Sequence, residues 1–227
     1  MADVRKSLEI ERDMEREFVA EALRSETQPK GWPAALVLFH VCMWRERLRD
    51  ALRDVREGRS YTPPPENQDE VNDAELASGL GVSLTDIAER SERLLSELIA
   101  LSDELGDRPF KWYVGKTTTE ALLRNSYVHP RLHISEYLKE NGERDRAHRL
   151  FEDAVSEMRE ASAPPIVLGA LLYNLAGARA AQDRVDEALE LLVEAFEMRP
   201  DLKEGAVSDP DLEPLHDNPG FKALVKP

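Results

Sequence analysis

Apolar residues recur every three to four positions along most of the chain, which is the spacing of one face of an α-helix. This pattern predicts four long helices, over residues 4–25, 34–58, 83–105 and 119–141. Ser83 is placed to cap the start of the third helix. Four long helices joined by substantial loops are typical of a four-helix bundle, and we predict an all-α fold for the chain.

The segments between these helices lack a regular apolar pattern. Residues 60–70 contain three consecutive prolines, and residues 106–118 contain glycine, proline and several aromatic side chains. Neither segment shows convincing alternation of apolar and polar residues, so both are predicted to be loops without strands. A weaker helical pattern leads in to the third helix from near Asn72.

The last third of the chain carries shorter, alanine-rich helical patterns that contain a repeat. One set of residues is Ala188, Leu192, Ala195 and Pro200. The spacing of its first three residues along the chain is repeated by Ala147, Phe151 and Ala154. The spacing resembles that of the second helix of tetratricopeptide units. We therefore predict a tetratricopeptide-like extension over residues 142–227 that ends in short capping helices, following a bundle over residues 1–141.

Charge and composition narrow the classes of function. The 227 residues carry a formal net charge of -15 with a pI of about 4.8, and such a surface repels nucleic acid. No apolar run approaches the ~20 residues that span a bilayer, and the first residues lack the apolar core of a secretory signal. We therefore expect no membrane or nucleic-acid partner and a cytoplasmic protein. Cys42 is the only cysteine, which excludes a disulfide framework and a cysteine-based zinc finger.

Three of the five histidines lie on helix faces that are predicted to point into the bundle. His40 belongs to an apolar stripe of the second helix, and His129 and His133 are one helical turn apart on the fourth. Three uncharged imidazoles can hold a divalent ion and leave a position open for water, which is typical of catalytic rather than structural sites. The alternative is that they are core residues with ordinary hydrogen bonds. His148 and His216 have charged neighbours and are predicted to lie on the surface.

Pro130 interrupts the fourth helix between the two histidines. Inside a helix, proline removes one hydrogen bond and clashes with the carbonyl four residues earlier, here that of Ser126, at a cost of about 3 kcal/mol. Either a new helix starts near His129 or the helix kinks. Both alternatives predict a bend between Tyr127 and Arg131.

Three segments together resemble a known family, the DinB-like four-helix bundles, and within it the DfsB and colibactin self-resistance branch. They are LVLFHVCMWRERL in the second helix, DEVNDAEL followed by the third helix, and FKWYVGKTTTEALLRNSYVHPRLHISEYL in the fourth-helix region. The resemblance covers about residues 5–141. It depends on the order and spacing of His40, Trp44, Glu46, Asn125, Tyr127, His129, His133, Ile134, Glu136 and Tyr137.

This resemblance implies that His40, His129 and His133 bind a divalent metal ion, with zinc or nickel expected. Members of the superfamily include thiol transferases, a maleylpyruvate isomerase and a self-resistance hydrolase that opens a cyclopropane. The resemblance thus implies a metal-dependent hydrolase or thiol transferase that acts on a small electrophile. Pro130 departs from the family pattern, and the repeat-containing tail is an addition to the minimal bundle.

Several other groups are candidates for the chemistry. Glu136 and Tyr127 are candidate acid–base residues next to the histidines, although Glu136 also fits a solvated or ion-paired helix surface. Asn125 is a candidate for orienting a ligand. Trp112 and Tyr113 lie just before the fourth helix, where they either wall a substrate pocket or pack over the end of the bundle.

The alternative to an enzyme is a non-catalytic scaffold whose tail recruits a protein partner. Two repeat units are few for an autonomous binding groove, because solenoids usually need at least three repeats. This shortage favours an extension that docks on its own bundle or contributes to a homodimer.

Overall fold

A computed structural model describes residues 3–25 and 28–226, and it is predominantly helical, as predicted. The chain divides into two compact units. The N-terminal unit comprises Asp3–Glu143, and the C-terminal unit begins at Arg144. None of the described helices combines the length and the apolar character that crossing a bilayer requires.

The N-terminal unit contains six α-helices and one hairpin among its described residues. The bounds of the helices and strands are α1 Val4–Arg24, α2 Ala34–Arg56, α3 Gln68–Glu75, α4 Leu84–Leu105, β1 Pro109–Trp112, β2 Gly115–Thr117, α5 Thr118–Leu123 and α6 His129–Glu140. A short 3₁₀ turn over Leu76–Gly79 extends α3. A π-helical turn over Arg124–Val128 joins α5 to α6.

Side chains that accept hydrogen bonds from free backbone N–H groups fix where four of these helices begin, and Asn67 does so for α3. Asp3 caps α1 by accepting from the N–H of Lys6 at 3.0 Å. Ser83 caps α4 as predicted, and Thr117 caps α5 in the same way. Such caps each contribute about 1 kcal/mol to helix stability.

Helix α2 lies at the centre of the N-terminal unit. It packs against α4 and α6, while α1 packs against α4 and α5. The side chains of Val41, Leu48 and Leu52 are completely buried in this core. The same helix carries His40, which is only 2% exposed, so the predicted inward direction of this histidine is confirmed.

The prediction that residues 106–118 form a loop without strands is wrong. Strands β1 and β2 pair in an antiparallel hairpin with Trp112 opposite Gly115. Phe110 and Trp112 alternate with exposed residues, are both buried, and stack with ring centroids 5.7 Å apart. The alternation spans only four residues, which is too short to stand out from a loop in the sequence.

The helical lead-in near Asn72 begins earlier than predicted. Helix α3 starts at Gln68, where the side chain of Asn67 accepts a hydrogen bond from the N–H of Glu70. The last residues of the segment 60–70 are therefore helical rather than loop. The asparagine cap was the available signal in the sequence.

The C-terminal unit is also helical. Its elements are α7 Arg144–Glu160, α8 Pro165–Ala181, α9 Val185–Met198, α10 Leu202–Ala206, a 3₁₀ turn Pro210–Leu215 and α11 Pro219–Leu224. Helix α8 packs against both α7 and α9, and the predicted repeat positions other than the exposed Pro200 are all buried. The assignment of these helices to tetratricopeptide units remains a prediction.

The predicted surface position of His148 is wrong. This side chain is buried, and its Nδ1 lies 2.9 Å from the amide nitrogen of Gln182. His148 is one of the buried residues of α7, and its contact with Gln182 lies at the C-terminal end of α8. His216 is partly exposed, and its ring stacks on Phe221.

Candidate metal centre

The structure brings the three predicted histidines together inside the N-terminal unit. His40 comes from α2, and His129 and His133 come from the first two turns of α6. The Nε2 atom of His129 lies 3.0 Å from that of His40 and 3.1 Å from that of His133. One ring nitrogen from each residue falls within 4.8 Å of the other two.

Hydrogen bonding alone does not satisfy this cluster of nitrogens. An imidazole nitrogen offers either one N–H or one lone pair in the plane of the ring. The Nε2 atom of His129 faces two other Nε2 atoms, so it can pair with only one of them. Ligands at 2.0–2.1 Å from a tetrahedral zinc ion are about 3.3 Å apart, so both observed separations are within a few tenths of an ångström of that value. The three nitrogens are therefore close enough together to hold a metal ion.

The electrostatic surroundings keep two of these rings uncharged. Burial, together with repulsion from His133, lowers the pKa of His40 to about 3. Burial and the neighbouring positive charges lower the pKa of His129 well below its ordinary value. Both rings are neutral near pH 7, which is the state that donates a lone pair to a metal.

Glu136 fixes the tautomer of the third ring. Its carboxylate lies 2.8 Å from Nδ1 of His133, one turn along α6, and the side chain is 63% exposed. An ionised carboxylate can only accept, so Nδ1 must carry the hydrogen and Nε2 of a neutral ring presents its lone pair to the centre. The predicted acid–base role of Glu136 remains a prediction, while the contact itself orients a candidate ligand.

The other two rings lack such a partner. The Nδ1 atoms of His40 and His129 are buried, and neither has a hydrogen-bond partner in residues 3–25 and 28–226. Ligating histidines usually donate their second nitrogen to a carboxylate, a carbonyl or water. The orientation of these two rings therefore depends on packing, including the tilted contact of His40 with Trp32 at a centroid distance of 5.5 Å.

Tyr127, the second predicted acid–base residue, lies in the core. Its side chain is fully buried, and the guanidinium of Arg131 sits 4.0 Å from the centre of its ring. This contact favours a packing role for Tyr127 through a cation–π interaction. Its predicted role in catalysis stays a prediction.

Helix α6 begins at His129, directly after a π-helical turn over Arg124–Val128, in agreement with a new helix that starts near His129. The N–H of His129 donates to the carbonyl of Arg124, five residues earlier instead of four. Pro130 has no N–H to offer the carbonyl of Ser126, which instead accepts a hydrogen bond of 3.0 Å from Arg45 on α2. The wider turn sets the rotation of α6 and hence the direction of its two histidines.

Arg45 belongs to a buried ion pair beneath the histidines. Its guanidinium donates to both carboxylate oxygens of Glu15 on α1, at 2.6 and 3.1 Å, and to the hydroxyl of Ser91 on α4 at 2.7 Å. Ser91 donates in turn to Glu15 at 2.6 Å. Arg45 also donates to the carbonyl of Ser126, so this side chain of α2 connects α1, α4 and the π-helical turn.

Within the described residues, a cavity adjoins His129 and another adjoins His133. The first has a volume of about 260 Å³, and its wall is largely aromatic on the side of the hairpin. The second has a volume of about 440 Å³ and lies beside the exposed edge of His133. The first is lined by Trp44, Gln68, Trp112, Tyr113, Val114, Arg124, Asn125 and His129, and the second by Trp32, Val37, His133, Glu136, Tyr137 and Glu140.

The candidate pocket residues Trp112 and Tyr113 and the candidate orienting residue Asn125 line the same cavity as His129. The amide of Asn125 donates to the carbonyl of Trp44 at 3.3 Å, which links α2 to the π turn. Trp32 was not among the predicted site residues, but its ring stacks on His133 with centroids 5.9 Å apart.

Comparisons with known protein families, with curated proteins and with solved structures find no match for this chain.

Proposed function

We propose that His40, His129 and His133 bind a divalent metal ion, zinc or nickel, and that the centre activates water or a thiol against a small electrophile. Such chemistry serves detoxification or self-protection. The proposal includes membership of the DinB-like superfamily, which the motifs in α2 and α6 support.

The observation that carries the proposal is the convergence of three Nε2 atoms from two helices. Two of the rings are held neutral by burial, and Glu136 directs the lone pair of the third toward the same point. Three neutral nitrogen ligands leave part of a metal ion's coordination open, which is typical of catalytic sites.

A divalent ion in this position supplies Lewis-acid activation of a bound water, thiol or carbonyl group. The protein's own residues supply the rest. Trp32 covers one face of the His133 ring. The two cavities give a small molecule access to the centre from the side of His129 and from the side of His133.

Metal analysis of the purified protein tests the proposal. We expect about one zinc or nickel ion per chain in the wild type and almost none in the double variant His129→Ala/His133→Ala. His216→Ala, which removes a histidine of the C-terminal unit, is the matched control and should keep the metal. Equal metal content in the wild type and the double variant would remove the basis of the proposal.

Turnover is tested separately with a panel of epoxides, maleyl compounds and activated cyclopropanes, with water or low-molecular-weight thiols as the nucleophile. Activity should be present in the metal-loaded wild type and lost in His40→Ala. Activity that survives this change would show that the chemistry occurs elsewhere.

A further inference from the structure

We propose that Asn141, the residue that follows α6, is a positioning residue for the candidate metal centre. It holds the connection between α1 and α2 so that Trp32 packs on two of the histidines. The inference rests on the proposed function, because these histidines are the candidate ligands. It adds a residue outside the centre that controls their placement.

Trp32 bridges candidate ligands that come from two different helices. The centroid of its indole lies 5.5 Å from that of the His40 ring on α2 and 5.9 Å from that of the His133 ring on α6. The residue is nevertheless 36% exposed, so it covers the two rings from the outside. A packed ring that touches both imidazoles restricts their rotation, which a preorganised site requires.

This packing is important because hydrogen bonds do little to orient the two rings. Nδ1 of His40 is buried and has no hydrogen-bond partner among the residues that the structure describes. A histidine that binds a metal is usually oriented through this second nitrogen. His133 has such a contact, but the side chain of Glu136 that provides it is 63% exposed. Contact with Trp32 is therefore an orienting interaction that both rings share.

Asn141 holds the backbone two residues before Trp32. Its side-chain oxygen accepts a hydrogen bond of 2.9 Å from the N–H of Lys30, and its side-chain nitrogen donates to the carbonyl of Lys30 at 3.4 Å. The same nitrogen donates to the carbonyl of Tyr137, in the last turn of α6, at 2.8 Å. The amide thus uses its oxygen and both of its hydrogens to join residue 30 to the helix that carries His133.

The backbone from Lys30 to Trp32 turns sharply against the last turn of α6. Gly31 has a φ of 66°, in the left-handed region that favours glycine, and a Cβ at this position would overlap the carboxylate of Glu140. Pro33 restricts Trp32 from the other side, because the residue before a proline is biased toward extended conformations. Since only Gly31 separates them, a displacement of Lys30 also shifts the indole.

The zinc affinity of the full chain, measured by competition with a chromophoric chelator, tests whether Asn141 acts through Trp32. We expect Trp32→Ala to weaken zinc binding about tenfold and Asn141→Ala to weaken it about three- to tenfold. The double variant should bind zinc as weakly as Trp32→Ala alone, because the effect of Asn141 is exerted through the indole. The control is Asn174→Ala, which removes a side chain that also donates to the carbonyl four residues earlier, that of Ala170 at 2.8 Å. This control should leave the affinity unchanged.

A second measurement needs no metal. Nuclear Overhauser contacts between the ring protons of Trp32 and those of His133 should be present in the metal-free wild type and in Asn174→Ala. In Asn141→Ala these contacts should be lost. Circular dichroism and the thermal midpoint check that every variant remains folded.

The inference is overturned if Asn141→Ala keeps either the ring contacts or the zinc affinity of the wild type. It is also overturned if Trp32→Ala binds zinc as tightly as the wild type, or if the two substitutions weaken binding additively. Each of these results, obtained with a wild type that binds zinc, would contradict only this inference. A wild type that binds no zinc would contradict the proposed function, and the ring contacts would then decide whether Asn141 holds Trp32 in place.

Discussion

Lowering the pH should destabilise the metal-free protein through His40. In the folded chain the pKa of this ring is lowered to about 3, chiefly by burial, whereas an unfolded histidine has an ordinary value of 6.5. Between these values the unfolded chain binds a proton that the folded chain does not bind. The stabilising contribution is therefore complete above pH 6.5 and is lost progressively as the pH falls toward 3.

The magnitude follows from the size of that window. Each pH unit below 6.5 costs about 1.4 kcal/mol per histidine, so lowering the pH from 7 to 5 removes about 2 kcal/mol through His40 alone. His129 acts in the same direction, because its pKa is also lowered. For a protein with a typical stability of about 5–15 kcal/mol, this loss is large enough to measure.

Urea unfolding at pH 7 and pH 5 in the presence of a chelator measures the effect. All three tryptophans lie in the N-terminal unit, so their fluorescence reports the unfolding of that unit. The variant His40→Gln should lose about 2 kcal/mol less stability between the two pH values than the wild type loses. His216→Gln is the control and should match the wild type. Equal pH dependence in the wild type and His40→Gln would refute the reasoning.

Three further predictions concern the side chains around the centre. Arg45→Met should lower the free energy of unfolding by about 3–5 kcal/mol in urea titrations, because it leaves the buried carboxylate of Glu15 without its partner. Glu136→Ala should weaken zinc affinity about 10- to 100-fold in competition titrations with a chromophoric chelator, without loss of stability, because His133 loses its orienting contact. Unchanged affinity would mean that the exposed carboxylate is not needed. Pro130→Ala should weaken zinc affinity in the same assay while the fold persists, because the added N–H competes with Arg45 for the carbonyl of Ser126. A zinc affinity equal to that of the wild type would show that the π turn forms without proline.

The sequence predicted the helices and the convergence of the histidines because both depend on helical periodicity. His40 shares a stripe with buried apolar residues, and the spacing of His129 and His133 survives in α6. Periodicity could not predict the π turn, because the extra residue per turn depends on Arg45 reaching Ser126 from another helix. It predicted only a bend near Pro130.

Contacts between distant segments account for the other omissions. Trp32 packs against His40 and His133, which are eight and 101 residues away in the sequence, so no local pattern marks it. The hairpin was missed because β2 has only three residues, and its pairing with β1 depends on register rather than on composition. The burial of His148 depends on α8 and on Gln182 at the end of that helix. The charged neighbours of His148 in the sequence indicated a surface position instead.

The contact between Trp32 and the histidine rings makes the fluorescence of this tryptophan an intrinsic reporter on the candidate centre. If the proposed centre binds a paramagnetic ion such as nickel, the emission of this indole would change, and no dye or tag would have to be attached. Occupancy, exchange between metals and removal by chelators would then be measurable in real time from one cuvette of unmodified protein. Replacing Trp32 with phenylalanine identifies which part of that signal originates at this indole.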